Sequence, residues 1–270
     1  MHGGRENGLG ALKDEIVAYW NARAVSYSCG VIDELHDERR VAWAQVLVEH
    51  SHEALHHAAM LGRPAHAIDL GCGPGFFSSL LAIEGCRVDA VDSSLEMLKH
   101  ARNNVMREAP DADVTFTCCD LLDLPFPDST FDLAVSRNVT WLMQQPEAAY
   151  AEWLRVLRPG GVLLVFDANW YRYLSDESVD MQRHDDQDGK TIEEWRIEAQ
   201  ATPDQERRCE IIAEQLPLTP VLRPAWDLET LRGFGVSSAH ADELIWERVW
   251  TEGEKRFYHT SPMFLVKSTK

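Results

Sequence analysis

The chain reads as an α/β protein, a doubly wound, mostly parallel seven-stranded sheet with helices on both faces, and three observations point there. Short apolar runs of strand length alternate with helical patterns between Ala65 and Ala168, the signature of parallel strands joined by crossover helices. The first run ends in glycines on alternate positions, "IDLGCGPGFF", immediately before a helical stretch. Finally, 270 residues with 45% hydrophobic content can enclose one large core.

The elements follow in order. Helical spacing covers "GALKDEIVAYWNARA" and "DELHDERRVAWAQVLVEHSHEALHHAAML", and Gly62 and Pro64 end that region. These residues predict an N-terminal helical cap over 1–62. "AHAIDL" predicts the first strand, and "FFSSLLAIEG" a helix stopping at Gly85. "CRVDAVD" predicts the second strand, "SSLEMLKHARNNVMREA" a helix capped by Ser93 or Ser94, and "DVTFTCCD" the third strand. "FDLAVSR" is a fourth strand after the turn-rich "LPFPDST". "PEAAYAEWLRVLR" begins with Pro146 at a helix N-terminus, and "GVLLVFDA" is the fifth strand.

From about residue 170 to 224 the alternation lapses into polar sequence with helical stretches at "TIEEWRIEAQ" and "DQERRCEIIAEQL". This reads as an inserted segment covering the substrate site, so the core is expected over 63–169 and 225–270. In the closing part, "DLETLRGFG" predicts a helix, and "VSSAHADEL" and "RFYHTSPMFLVKS" predict strands joined by the acidic turn "WTEGEK".

A glycine-rich turn that leaves a strand and opens a helix is where open α/β sheets bind ligands, because missing Cβ atoms allow backbone contact. The spacing separates the candidate ligands. A dinucleotide fingerprint would place its third glycine at 76, where Phe76 stands, and a P-loop would require a lysine near this turn. A nucleoside-bearing ligand without those phosphate contacts is left. Asp92 closes the second strand 21 residues after Gly71, the distance at which a carboxylate accepts sugar hydroxyls.

With D-x-G-x-G-x-G at "DLGCGPG", the chain resembles class I S-adenosylmethionine-dependent methyltransferases. Within them it is similar to the small-molecule type 11 branch that includes enzymes of ubiquinone and menaquinone biosynthesis. "VDAVDSSLEML", "CCDLLDLPFPDSTFDLAVS" and "WLRVLRPGGVLLV" follow in the family's order, so the resemblance covers roughly residues 65–168. It implies a Rossmann-like methyltransferase fold, S-adenosyl-L-methionine as cofactor, and a small-molecule methyl acceptor. Carried over residue by residue, it implies that Asp69, Gly71, Gly73 and Gly75 surround the methionine part and ribose. Asp92 with Ser93 would hold the ribose, Asp120 and the Leu121 amide would meet the adenine edge, and Met97 its face. Ser136 and Arg137 fall near the cofactor, and Asn138 and Trp141 near the substrate. The N-terminal "YWNARAVSYS" is similar to a pattern that folds over the cofactor through Tyr19, Arg23 and Tyr27. Trp170, Tyr171 and Tyr173 are candidate substrate walls. No residue is singled out as the catalytic base. A non-methylating enzyme, or a binding module using an adenosylmethionine derivative on the same fold, is the alternative.

Composition narrows the partners. A formal net charge of -18 repels phosphate backbones and anionic membranes. Neither a bilayer-spanning run nor a signal-peptide core is apparent, so a cytoplasmic monomer or homodimer is expected, with no nucleic acid and no membrane. Cys29, Cys72, Cys86, Cys118, Cys119 and Cys209 lack paired spacing; several fall inside apolar segments where a thiol packs as a small hydrophobe, and Cys118 and Cys119 read as strand packing. His52, Glu53 and His56 form H-E-x-x-H, but the glycine turn follows where a third zinc ligand would be needed, so no metal is expected. His184 to Asp186 read as a solvated acidic loop.

Overall fold

The computed structural model describes residues 3–185 and 201–270, with side chains over 10–181 and 201–270. The expected helix at "TIEEWRIEAQ" and the side chains of His184 to Asp186 lie outside the described residues.

Two helices open the chain, α1 (Gly3–His36) and α2 (Arg39–Met60). The break comes later than the apolar spacing predicts, because α1 continues through 25–32. It falls where Asp37 Oδ1 takes the Arg39 N–H at 2.8 Å, a side-chain bond that satisfies an orphan donor at the start of α2. The alternating core follows: β1 (His66–Leu70), α3 (Phe76–Ile83), β2 (Arg87–Asp92), α4 (Leu95–Glu108), β3 (Val114–Cys118), β4 (Phe131–Arg137), α5 (Pro146–Val156) and β5 (Leu157–Asp167). Then come α6 (Glu177–Asp185), α7 (Pro203–Ala213), α8 (Ala225–Gly233), β6 (Ser238–Asp242), α9 (Trp246–Val249), α10 (Glu252–Phe257) and β7 (Phe264–Thr269).

The sheet has seven strands in the order β3-β2-β1-β4-β5-β7-β6. The pairs from β3 to β5 are parallel, and β7 runs antiparallel to both β5 and β6. Strand order reverses at β1, so a crevice opens at the carboxyl ends of β1, β2 and β4. The central strands are buried along nearly their whole length, as strands covered on both faces must be. On one face, Trp43 of α2 meets Phe76, Phe77 and Phe166 edge-on at 5.2 to 6.1 Å. On the other, Tyr150 and Trp153 of α5 are fully buried.

The closing segment differs from expectation. "WTEGEK" is the start of α10 and no hairpin turn, because Thr251 and Glu254 form a reciprocal capping box. Residues 256–263 are therefore helix end and loop, and β7 begins only at Phe264. Cys118 is exposed on the edge strand β3 instead of packed, and Cys29 is exposed on α1. Glu53 of the H-E-x-x-H stretch is engaged by Lys267 Nζ at 2.6 Å, while the His52 and His56 rings lie side by side on the exposed face.

Candidate functional site

The glycine turn places three residues in left-handed backbone, with φ of 69° at Gly71, 51° at Gly73 and 87° at Gly75, a region glycine enters without steric cost. Beyond that shared need the three differ. A Cβ on Gly71 would lie 2.5 Å from Val139 Cγ2, and one on Gly75 would lie 3.0 Å from Ala101 Cα. Both close approaches are to the protein itself, the loop after β4 and helix α4, and neither is to open space. A Cβ on Gly73 meets only Tyr27 Cε1, at 3.9 Å, so Gly73 alone borders free volume.

Asp92 stands directly across that turn. Its Oδ2 accepts the Gly73 N–H at 2.9 Å and its Oδ1 the Ser94 N–H at 2.7 Å. Burial pushes its pKa up to about 6, while these backbone donors pull the other way. Each carboxylate oxygen still has a lone pair to offer. One strand over, Asp69 is buried and accepts the Ser78 hydroxyl at 2.6 Å. Burial raises its pKa to about 7, against that hydrogen bond. Asp69 thus ties β1 to α3 beneath the turn. At the end of β4, the Ser136 hydroxyl is buried with no hydrogen-bond partner.

Helix α1 lies across the ends of β2 and β3. Asn21 Oδ1 takes the Ser94 hydroxyl at 2.7 Å, Asn104 Nδ2 reaches Ser28 Oγ at 3.2 Å, and Lys13 Nζ binds Asp120 Oδ2 at 2.6 Å. Asp120 also accepts the Leu122 N–H, the Leu121 carbonyl accepts the Trp153 indole, and Met97 is buried. Ser93 offers its carbonyl to the Cys118 thiol. Sequence reasoning missed Lys13 and Asn21, although Lys13, Trp20 and Tyr27 recur every seven residues and so share one helix face.

Beyond Tyr27 opens a cavity of about 1420 Å³. It gathers Tyr19, Arg23 and Tyr27 from α1, Arg137 and Asn138 from the end of β4, and Trp141, Trp170, Tyr171 and Tyr173 from the connections beyond. Trp20, Trp43, Trp250 and Tyr258 also line it, none of them anticipated. Arg137 is held rigidly: it makes a two-pronged pair with Glu34 at 2.7 and 3.0 Å and sits over the Trp43 and Phe76 rings. It serves as a strut from β4 to α1. Asp167 at the end of β5 orders the opposite wall, accepting the Trp141 N–H at 3.0 Å, the Trp170 indole at 3.2 Å and Arg223 at 2.6 Å. Arg223 in turn clasps Asp227, which also receives the Tyr150 hydroxyl. Tyr19, Trp141, Cys209 and Ile212 form one apolar cluster joining α1 to α7.

Known proteins resemble part of this chain in sequence and most of it in fold. Residues 68–165 match a family model described as a methyltransferase domain. Over those residues the chain is thus similar to known methyltransferase domains. Over 121 residues the chain is 36% identical to a malonyl-[acyl-carrier protein] O-methyltransferase of Serratia marcescens, covering 43% of this chain and 45% of that protein. It is 35% identical over 103 residues to the O-methyltransferase cnsE of Penicillium expansum, covering 38% and 37% respectively. The chain thus spans less than half the length of these curated relatives. Among solved structures, geranyl diphosphate C-methyltransferase from Streptomyces coelicolor A3(2) superposes with a TM-score of 0.51 at 18% identity, over 88% of this chain and 82% of that one. That likeness is one of fold. The matched segment takes in most of β1 through β5 with their helices; α1, α2 and the residues after 165 lie outside it.

Proposed function

We propose that this chain binds S-adenosyl-L-methionine against the glycine turn and transfers its methyl group to a small-molecule acceptor in the aromatic cavity. One observation carries the reading: Asp92 and Gly73 are locked together at the sheet's reversal point, and Tyr27, the side chain nearest the open side of Gly73, also lines the cavity.

The residues fit the cofactor. Asp92 keeps acceptor capacity for sugar hydroxyls, Gly73 leaves backbone uncovered, and Ser136 offers a buried hydroxyl with no other partner. Ser93, Met97, Asp120 and Leu121 are the proposed contacts to the adenosyl group beside β2 and β3, with Lys13 paired to Asp120. When bound, adenosylmethionine supplies an activated methyl on a sulfonium. The chain's own contribution is then mainly placement and exclusion of water, with Trp141, Trp170, Tyr171 and Tyr173 as walls and Asn138 at the junction. Segment 170–224 works as a roof and 1–62 as a cap on the core of 63–169 and 225–270; the apolar cluster joining α1 to α7 supports that division. The acidity of the whole chain favours a small-molecule acceptor over nucleic acid. No helix among the described residues is long and apolar enough to cross a membrane. The proposed working form is a cytoplasmic monomer or homodimer.

Binding is tested by calorimetry with S-adenosylhomocysteine. Asp92→Ala should weaken it by about 1.5 to 3 kcal/mol, the worth of hydrogen bonds to a charged group, and unchanged affinity would remove Asp92 from the site. Methyl-labelled cofactor then separates transfer from the non-methylating alternative: label must appear in an acceptor drawn from a metabolite extract.

A further inference from the structure

We infer that the cavity is built for an amine, taken up as an ammonium on an apolar or aromatic body, and this rests on the methyl-transfer reading above. Three independent features agree.

The walls are aromatic. Eleven aromatic side chains line the cavity among the described residues, with Trp141 against Tyr171 at 4.8 Å and Trp170 against Tyr258 at 5.1 Å. Ring faces carry negative charge density and attract cations.

The walls are also acidic. Eight carboxylates and four guanidiniums line the cavity, with no lysine or histidine among the described residues. Arg137 pairs with Glu34, Arg39 with Asp37 and Glu254, and Glu252 with Lys255 outside the cavity, which leaves Asp33, Glu38, Glu206 and Glu210 against Arg23 and Arg207. A carboxylate- or phosphate-bearing acceptor would enter a field of its own sign; an ammonium would be drawn in.

Asn138 supplies the specific contact. It follows β4 at the cavity wall with φ of 60°, left-handed backbone that asparagine tolerates better than most non-glycine residues. Its Oδ1 is buried and has no hydrogen-bond partner. A buried acceptor without a donor is a standing cost, and an N–H of the incoming ammonium removes it. A carboxylate, with acceptors only, cannot. Before such a nitrogen can be methylated one N–H proton must leave, its bonding pair staying on nitrogen. The wall carboxylates receive it.

The test uses the full chain and three probes sharing one body: 4-phenylbutylamine, 4-phenylbutanol and 4-phenylbutyrate, titrated by calorimetry at pH 7.5. The amine should bind at least about tenfold tighter than either partner, and the gap should narrow as salt rises. Asn138→Leu should erase most of that preference, whereas Asn138→Asp, which keeps an acceptor and adds charge, should retain or widen it. Equal or tighter binding of the alcohol or the carboxylate overturns the inference, as does no binding of any probe. S-Adenosylhomocysteine is titrated in parallel. If it binds without amine preference, the amine inference fails and the methyl-transfer reading stands; if it does not bind, that reading fails whatever the probes do.

Discussion

Asp92 and Asp69 lie on neighbouring strands, and burial raises both pKa values, with different consequences. As an acceptor of sugar hydroxyls Asp92 must be ionised, so affinity for S-adenosylhomocysteine should hold above pH 7 and fall as pH drops through about 6. A titration flat between pH 5 and 7.5 would contradict the role. Asp69 acts on folding. Its pKa is pushed up to about 7 in the folded chain, from the ordinary carboxylate value of 3.8, so the folded chain holds the extra proton, and that stabilisation is full below pH 4 and lost as pH rises through 7. Asp69→Asn keeps the shape and cannot ionise. Its stability relative to the native chain should therefore improve by at most about 1.4 kcal/mol for each pH unit between 4 and 7, read from urea unfolding at several pH values; a constant difference would exclude Asp69 as the source. The glycines separate in the same way. Gly75→Ala drives a Cβ to 3.0 Å from the α4 backbone and should cost about 1 to 3 kcal/mol of stability. Gly73→Ala meets nothing closer than 3.9 Å and should cost less stability while weakening the cofactor analogue more. The reverse ranking would show that Gly73, too, serves packing.

Among the elements, α1 is the one whose position the sequence concealed. Its apolar spacing is visible, and so is the face shared by Trp20 and Tyr27, but the partners that seat it, Ser94, Asn104 and Asp120, are polar and distant in the chain. Short-range pattern carries no record of such bonds. The alternation from β1 to β5 was legible because each strand is bounded by turn residues and buried on both faces, which leaves continuous apolar runs. "WTEGEK" misled because a capping box and an acidic turn share the same residues. At Gly71 and Gly75 the sequence did not show a second reason for glycine, the close packing of Val139 and Ala101 where a Cβ would stand. Because α1 lies over the ends of β2 and β3, it has to yield for a nucleoside to arrive. The Lys13 to Asp120 pair is half-exposed and worth no more than about 1 kcal/mol. Lys13→Ala should therefore leave the unfolding midpoint nearly unchanged and speed association of S-adenosylhomocysteine in stopped-flow mixing. An unchanged association rate would mean that α1 does not gate the crevice.

At the scale of the whole molecule, the sheet divides the labour. Its β1 and β2 ends carry the carboxylates and the bare Gly73 backbone, while the ends of β4 and β5 brace an aromatic cavity through Arg137 and Asp167. The net charge of -18 sets a field over both regions that favours cationic ligands, and adenosylmethionine is itself a sulfonium. Raised ionic strength should therefore weaken adenosylmethionine more than the neutral thioether S-adenosylhomocysteine, since screening acts on the charge that distinguishes them. The most direct measurement is calorimetric titration of S-adenosylhomocysteine into the native chain and into Asp92→Ala at pH 7.5, both confirmed folded by circular dichroism. One site per chain in the native protein, weakened at least about tenfold in the variant, is the predicted result. A native chain that takes up no ligand, or a variant that binds it equally well, would contradict the placement of an adenosyl group between Gly73 and Asp92.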